Sequence, residues 1–304
     1  MSKREILVVG SVAFDSLETP HGHRDECLGG SATYSSVTAS AFADVSLVAV
    51  VGDDFPDAHT HMLRSRGINL DGLEIVEGGK TFRWKGRYGE NLNEAQTLET
   101  HLNVFEQFDP QIPEAHRKKE LLFLGNIDPV LQLKVLDQVD HPHLVAMDTM
   151  NFWITSKRDE LVNVLSRIDL LIINDGEARQ LSGESNILRA ADRIRAMGPK
   201  MLIIKRGEYG AMLFHPEGIF CAPAVPLRDV LDPTGAGDTF AGGLMGALAK
   251  SEELDFNAFK RGVLTGTVMA SFTVEGFSLE RLLSLQDDEL DARLAQLKGM
   301  MQVD

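Results

Sequence analysis

A glycine turn and a carboxylate lie side by side in the segment DPTGAGDTFAGG, residues 232–243. Gly235, Ala236 and Gly237 are small enough for backbone N–H groups to approach a ligand, and N–H groups at the start of a helix attract anions. Asp238 follows directly and could take a proton from a hydroxyl group. Phosphoryl transfer needs positioning, charge stabilisation and such a proton acceptor. The segment therefore predicts an anion hole made by the three small residues, with Asp238 as the general base.

This segment has two other interpretations. Asp is a preferred helix-capping residue, so Asp238 could simply cap a helix, but a cap does not explain the glycine turn before it. The sequence GAGDTF also resembles part of a dinucleotide-binding fingerprint, although Phe240 occupies the position of its third glycine. An NAD-dependent oxidoreductase is therefore disfavoured.

The elements that must position these residues are visible as apolar runs alternating with helical patterns. Short apolar runs of this kind are typical of buried parallel strands, and their alternation with helices predicts an α/β fold with a mostly parallel sheet covered on both faces. The predicted strands lie in 5–12, 45–54, 120–129, 143–149, 168–175 and 200–207, and the predicted helices in 29–42, 55–67, 186–198, 256–272, 287–300 and after residue 238.

One part of the chain has a different character. Residues 80–89, KTFRWKGRYG, alternate polar with apolar or aromatic side chains, as in a half-exposed strand, and the segment stays polar to about residue 110. We expect a small sheet that projects from the main body. No internal repeat or Pro/Ser-rich linker interrupts the sequence, so we predict a single domain over residues 1–304.

Composition excludes several classes of function. The chain has 304 residues, 43% of them hydrophobic, and a net charge of −15. This charge disfavours binding to nucleic acid or to an anionic membrane surface, and the sequence contains no apolar run of about 18 residues that could span a bilayer. The only cysteines are Cys27 and Cys221, which argues against a disulfide framework and predicts a cytoplasmic location.

Four segments, in order, resemble the ribokinase or phosphofructokinase-B (PfkB) family of carbohydrate kinases. DPTGAGDTFAGG is similar to the C-terminal signature of that family, and LGGSATYSSVTASAFADVSLVAVVGDDF, residues 28–55, is similar to its first signature. NDGEARQL (174–181) resembles an N-x-x-E motif, and KRGEYGAMLF (205–214) resembles a strand–turn–strand nucleotide segment. The resemblance implies a ribokinase-like three-layer sandwich, with a small β-sheet lid built from about 11–22 and 76–110.

The resemblance also implies roles for individual residues. Asp238 would be the general base, and Asp15, Gly29, Gly30 and Tyr34 would bind the acceptor. The nucleotide would be bound by Asn174, by Gly207 and by the backbone near Lys205 and Gly210. Glu177 would help to hold Mg²⁺ through water, and Asp232 and Thr234 match positions that bind a monovalent cation such as K⁺ in some members.

Local alternatives remain for two of these residues. Asp15 follows a strand and could be a solvated turn residue, whereas Glu177 could favour only the dipole of a first helical turn. Tyr34 departs from the family pattern, because many sugar kinases have Asn at this position. A tyrosine leaves room for a nucleoside or another bulky acceptor.

The function that the sequence predicts is an ATP-dependent kinase. It would transfer the γ-phosphate to a hydroxymethyl group of a sugar, with Mg²⁺ as cofactor. A nucleoside kinase of the same family, adenosine-like in its acceptor, and a catalytically silent nucleotide or sugar sensor are the alternatives. The resemblance further implies a homodimer that pairs through the lid.

Overall fold

The computed structural model describes residues 4–92 and 95–302. Its strands are β1 (Ile6–Val9), β2 (Ala13–Thr19), β3 (Gly22–Gly29), β4 (Val45–Gly52), β5 (Ile68–Val76), β6 (Phe82–Tyr88), β7 (Ala95–His101), β8 (Leu121–Leu124), β9 (Leu144–Asp148), β10 (Leu170–Asn174), β11 (Met201–Lys205), β12 (Ala211–His215) and β13 (Gly218–Ala222).

The α-helices are α1 (Ser31–Ser40), α2 (Asp57–Ser65), α3 (Pro129–Leu136), α4 (Asn151–Ser156), α5 (Arg158–Leu165), α6 (Asp175–Ser182), α7 (Ile187–Arg195), α8 (Ala236–Lys250), α9 (Phe256–Thr273), α10 (Glu280–Ser284) and α11 (Asp287–Met300). Short 3₁₀ turns cover Asn103–Gln107, Glu114–His116 and Gly207–Tyr209.

Nine strands form the main sheet, in the order β13-β12-β11-β10-β9-β8-β1-β4-β5. The strands from β11 to β5 in this order are parallel, whereas β12 and β13 add antiparallel at one edge. The six predicted strands are all present here. β5 and β13, the two edge strands, were not predicted. β5 mixes polar and apolar residues and lacks a continuous apolar run, and β13 is only five residues long.

Helices cover both faces of this sheet. Ile6 and Val8 point into one core, which includes residues of α1, α8 and α9, and Leu7 and Val9 point into the other, which includes residues of α3, α5 and α7. Both faces of the central strands are therefore buried, which explains why those strands are apolar throughout. The result is a three-layer α/β sandwich.

The glycines of α8 serve helix–helix packing. A Cβ at Gly242 would lie 2.4 Å from the carbonyl oxygen of Ser35 in α1, and a Cβ at Gly243 would lie 3.0 Å from the Cα of Gly266 in α9. The close neighbours of these glycines are thus the two flanking helices, which position the backbone of α8.

A second, four-stranded sheet has the order β3-β2-β6-β7. It contains the predicted strand at 80–89, but its first hairpin extends to Gly29, beyond the predicted limit of residue 22. The polar segment HRDEC in β3 is exposed on both faces, so it carries no apolar alternation that could have predicted a strand. We refer to β2, β3, β6 and β7 as the small sheet.

In the two described ranges of the chain, no helix has both the length and the apolar character needed to cross a membrane.

Candidate active site

The predicted site residues gather at the carboxyl edge of the main sheet, where ligands bind in open α/β folds. Asn174 is the last residue of β10 and Lys205 the last of β11, and α8 begins at Ala236 beside them. Asp148, the last residue of β9, lies at the same edge. Parallel strands bring these chain-distant residues together because all of them end on the same side.

The turn before α8 is held by a buried carboxylate. Asp232 is fully buried, and its two oxygens accept hydrogen bonds from the N–H groups of Thr234, at 2.9 Å, and Ser278, at 3.4 Å. Gly235 then adopts φ 74°, a left-handed conformation that favours glycine. Ala236 directs its N–H to the carbonyl of Pro233 at 3.2 Å. The N–H group of Ala236, one of the three predicted anion-hole donors, therefore points into the loop.

Tyr34 lies beneath this turn. Its side chain is almost fully buried, and a Cβ at Gly235 would lie 2.4 Å from the tyrosine ring. The hydroxyl is buried without a hydrogen-bond partner among the described residues. The sequence predicts that Tyr34 binds the acceptor. Its ring also lies against the glycine turn, and glycine is required at 235 to make room for it.

Asp238 sits in the first turn of α8 among other charged groups. Burial, and next the negative charge of Asp148, raise the pKa of its carboxyl group to about 7, while the Lys205 ammonium and its own backbone N–H act in the opposite direction. A carboxylate with such a pKa can both accept and release a proton near neutral pH.

Lys205 and Asp148 form an ion pair across the end of β10. The Lys205 Nζ lies 3.2 Å from the Asp148 Oδ2, and their side chains are 19% and 8% exposed. Burial by itself would lower the pKa of Lys205, but the charges of Asp148, Glu177 and Asp238 hold it above its ordinary value. The lysine therefore carries its charge. We expected only its backbone to matter.

Asn174 and Glu177 form a reciprocal capping box at the start of α6. The Asn174 Oδ1 accepts from the Glu177 N–H, and the Glu177 Oε2 accepts from the Asn174 N–H, both at 2.8 Å. Burial and the charge of Asp148 raise the pKa of Glu177 to about 7, with Lys205 opposing them. The capping box accounts for the N-x-x-E spacing. Glu177 and Asp238 also interact electrostatically with the same two residues, Asp148 and Lys205.

Asp15 belongs to the same site, although it lies in the small sheet. Its side chain is 5% exposed, so it is not a solvated turn residue. Burial and the charges of Asp232 and Asp238 raise its pKa to about 7, against a hydrogen bond from the Gly30 N–H. A Cβ at Gly29 would lie 1.9 Å from the Asp15 Oδ2, and Gly30 has φ 95°. The double glycine therefore shapes the space around this carboxylate.

Gly207 and Gly210 form the turn between β11 and β12. Both have positive φ, 52° and 88°, and the Gly210 N–H donates to the Gly207 carbonyl at 3.1 Å. A Cβ at Gly210 would lie 2.0 Å from the carbonyl oxygen of Ala222. The turn starts two residues beyond Lys205, so it borders the same edge of the sheet.

The small sheet contacts the glycine turn through Tyr88, at the end of β6. The Thr234 hydroxyl donates to the Tyr88 hydroxyl at 3.0 Å. Two other aromatic residues of the small sheet contact protein neighbours: Phe82 stacks on Phe105 at 5.3 Å, and the Trp84 indole N–H donates to Thr97.

Sequence reasoning missed one functional candidate, Asp148. This residue ends the predicted strand HLVAMD, and an acid at the carboxyl end of a strand was the available signal. The contact between Tyr88 and Thr234 had no local signal, because the two residues are 146 positions apart.

No three carboxylate, histidine or cysteine side chains converge on one point within 4–92 and 95–302 to form a ready-made metal cage. Mg²⁺ is often bound by one or two carboxylates, with water and substrate phosphates supplying the other ligands. Glu177, with Asp148 and Asp238 nearby, provides oxygen donors and a negative potential of that kind. The residues present therefore fit Mg²⁺ that arrives with a nucleotide.

Comparison with known proteins identifies the class. Residues 4–276 match the model of the pfkB family carbohydrate kinases, so the chain belongs to that family. It is a phosphotransferase with a hydroxyl acceptor, which confirms the predicted family and class of enzyme. Kinases of this family use ATP as phosphate donor, and Mg²⁺ is the general kinase cofactor.

Several relatives are kinases named for nucleoside substrates. The chain is 30% identical over 259 residues to a cytidine kinase of Thermococcus kodakarensis, covering 83% of this chain and 91% of the relative. It is 24% identical to a nucleoside kinase of Methanocaldococcus jannaschii, covering 81% and 79%. The crystal structure of the M. jannaschii nucleoside kinase superposes with a TM-score of 0.77 at 20% identity, over 97% of this chain and all of that one. The predicted ribokinase-like fold is confirmed.

Proposed function

We propose that this chain transfers the γ-phosphate of ATP to a hydroxymethyl group on a sugar ring, with Asp238 as the general base. The observation that carries the proposal is the position of Asp238, in the first turn of α8, in the same charged cluster as Lys205 and Asp148, with a pKa of about 7. A base is most effective when its pKa lies near the working pH.

The reaction follows from this placement. Asp15 accepts a hydrogen bond from acceptor hydroxyls and orients the hydroxymethyl group toward Asp238. As the acceptor oxygen bonds to the γ-phosphorus, its proton passes to the Asp238 carboxylate. The bond between that phosphorus and the β–γ bridging oxygen breaks, and ADP leaves. The N–H groups of Gly235 and Gly237 stabilise the charge on the transferring group, because N–H groups in the first turn of a helix lack intrahelical partners.

The nucleotide would lie along the turn formed by Gly207 and Gly210, with Asn174 and Lys205 at the phosphate end. Glu177 would hold Mg²⁺ through water, and the bound ion would supply neutralisation of the phosphate charge. Asp232, whose pKa is raised by burial, and Thr234 are the residues we assign to a monovalent cation such as K⁺. Replacement of K⁺ by choline in the assay tests this assignment, and unchanged turnover contradicts it.

A nucleoside is the second candidate acceptor, and one observation favours it. A relative that is 30% identical over most of this chain is a cytidine kinase. A panel of free sugars and nucleosides, cytidine included, assayed for ADP release and for a phosphorylated product, distinguishes the two acceptors. Tight binding of ATP and acceptor without product would instead indicate a sensor that has lost catalysis.

The variant Asp238→Asn tests the mechanism. Turnover should fall by about 10²–10⁴-fold while ATP still binds, because loss of general base catalysis is of this size. Asp229→Asn, an exposed acid nine residues upstream, is the matched control and should leave turnover unchanged. Retained activity in Asp238→Asn removes Asp238 as the base.

The small sheet is assigned as a lid that closes over the acceptor and excludes water. It is also our proposed contact between two copies of the chain. β7 is exposed along most of its length and forms an edge of the small sheet, and such an edge is a surface on which strands pair. Sedimentation measurements with Leu98→Lys, which charges a half-buried position of β7, test the dimer. A monomeric wild-type chain would overturn it.

A further inference from the structure

Lys205 is a buried cation, and the reaction proposed above gives its ammonium group no catalytic role. Its Nζ lies 3.2 Å from the Asp148 Oδ2, and the two side chains are 19% and 8% exposed. β11 pairs with β10 and β10 with β9, so the lysine reaches across the end of the intervening strand to its partner. An ion pair taken out of water is expensive, and its desolvation cost is commonly not recovered as stability.

The head of this lysine is aimed at the glycine turn. A Cβ at Gly237 would lie 2.7 Å from the Lys205 Nζ, so glycine at this position leaves the ammonium room against the first turn of α8. Lys205 also acts electrostatically on both Asp238 and Glu177. The positive charge therefore lies against the first turn of α8 and interacts with both the proposed base and the acid assigned to Mg²⁺.

We propose that the Lys205 ammonium is a catalytic cation of this kinase, which contacts an oxygen of the γ-phosphoryl group during transfer, and that Asp148 is the positioning residue that holds it against Gly237. This inference rests on the proposed function. A fixed cation in a poorly hydrated site stabilises developing negative charge without any reorganisation at the moment of reaction. The ion pair with Asp148 fixes the long lysine side chain before ATP arrives.

Lys205→Met tests the proposal, because methionine is unbranched and of similar length but uncharged. We expect kcat to fall by about 10²–10³-fold, the size seen when one stabilising group of this type is removed. The KM for the acceptor should stay within about threefold. Lys205→Arg keeps the charge, so its kcat should be at least about tenfold higher than that of Lys205→Met. Lys200→Met, at the opposite end of the same strand and 75% exposed, is the matched control and should behave as wild type.

A second readout separates catalysis from packing. ADP, Mg²⁺ and aluminium fluoride together mimic the transferring phosphoryl group, so their affinity in the presence of acceptor should fall in Lys205→Met by a factor similar to the fall in kcat. ADP alone should bind within about threefold of wild type. If Lys205 had only a structural role, Lys205→Met would lower the melting temperature but leave ligand binding and kcat of the folded fraction unchanged. That result would overturn the proposal.

Asp148→Asn provides a second test of the proposal if Lys205→Met does not fold. The lysine then remains but loses its charged partner, and kcat should fall by about 5–30-fold, equivalent to about 1–2 kcal/mol at 1.4 kcal/mol per factor of ten. Unchanged kcat in Asp148→Asn overturns the positioning role. Failure of the proposed function would look different, because wild type would then phosphorylate no acceptor, or Asp238→Asn would keep its turnover.

Discussion

The Thr234 hydroxyl donates a hydrogen bond to the hydroxyl of Tyr88, with 3.0 Å between the two oxygens. Thr234 belongs to the glycine turn before α8 and Tyr88 to the small sheet, so this bond joins the proposed region of phosphoryl transfer to the proposed lid. Lid position and the geometry of the turn are therefore coupled through two side chains.

Loss of this bond should loosen the lid. In Tyr88→Phe we expect the KM for the acceptor to rise about 2–12-fold, the equivalent of a net hydrogen bond of about 0.5–1.5 kcal/mol. ATP hydrolysis without acceptor should increase, because water enters a less closed site. Steady-state kinetics with and without acceptor measure both. The double variant Tyr88→Phe/Thr234→Val should be no worse than the poorer single variant, and additive effects would show that the two hydroxyls act separately.

Gly29→Ala should damage acceptor binding selectively. Its Cβ would lie 1.9 Å from the Asp15 Oδ2, so the carboxylate must move. We expect the KM for the acceptor to rise at least about tenfold, with ATP affinity unchanged, as titration calorimetry with a non-hydrolysable ATP analogue can show. Gly89→Ala is the control, because a Cβ there meets no atom within 4 Å. An unchanged acceptor KM in Gly29→Ala would argue against Asp15 as the acceptor ligand.

Activity should depend on pH near neutrality. The pKa of Asp238 is raised by burial to about 7, and the active form of a base is the ionised one. kcat/KM for the acceptor should therefore fall as the pH drops through about 7 and level off above it. Asp15, also at about 7, is coupled to Asp238, so the observed values belong to the pair. A pH profile with its acid limb near 4 would contradict this assignment.

The close packing of α8 predicts a stability effect far from the chemistry. In Gly242→Ala, the new Cβ would lie 2.4 Å from the Ser35 carbonyl oxygen in α1, and backbone cannot yield easily. We expect the free energy of unfolding to fall by about 1–3 kcal/mol, as for other overpacked sites. Gly299→Ala, in α11 with open space around it, should be neutral or slightly stabilising. Urea unfolding of both variants is the measurement.

Much of the architecture could be predicted from local patterns. Buried parallel strands are apolar throughout, so six strands of the main sheet were visible as short apolar runs, namely β1, β4, β8, β9, β10 and β11. The hairpin of β2 and β3 was not, because HRDEC is exposed on both faces and shows no period. Helix α8 and its glycines were also visible, but the choice of α1 and α9 as their packing partners is a property of three dimensions.

The sequence by itself determined the chemistry that depends on neighbours along the chain. The glycine turn followed by Asp238, and the capping box of Asn174 and Glu177, are set by spacings of one to three residues. Only the tertiary structure decided that Lys205 meets Asp148, 57 residues earlier, and that Thr234 meets Tyr88. It also placed Tyr34 beneath the turn. Such contacts depend on which strand ends become neighbours in the sheet and on how the small sheet folds over them, and no local pattern records either.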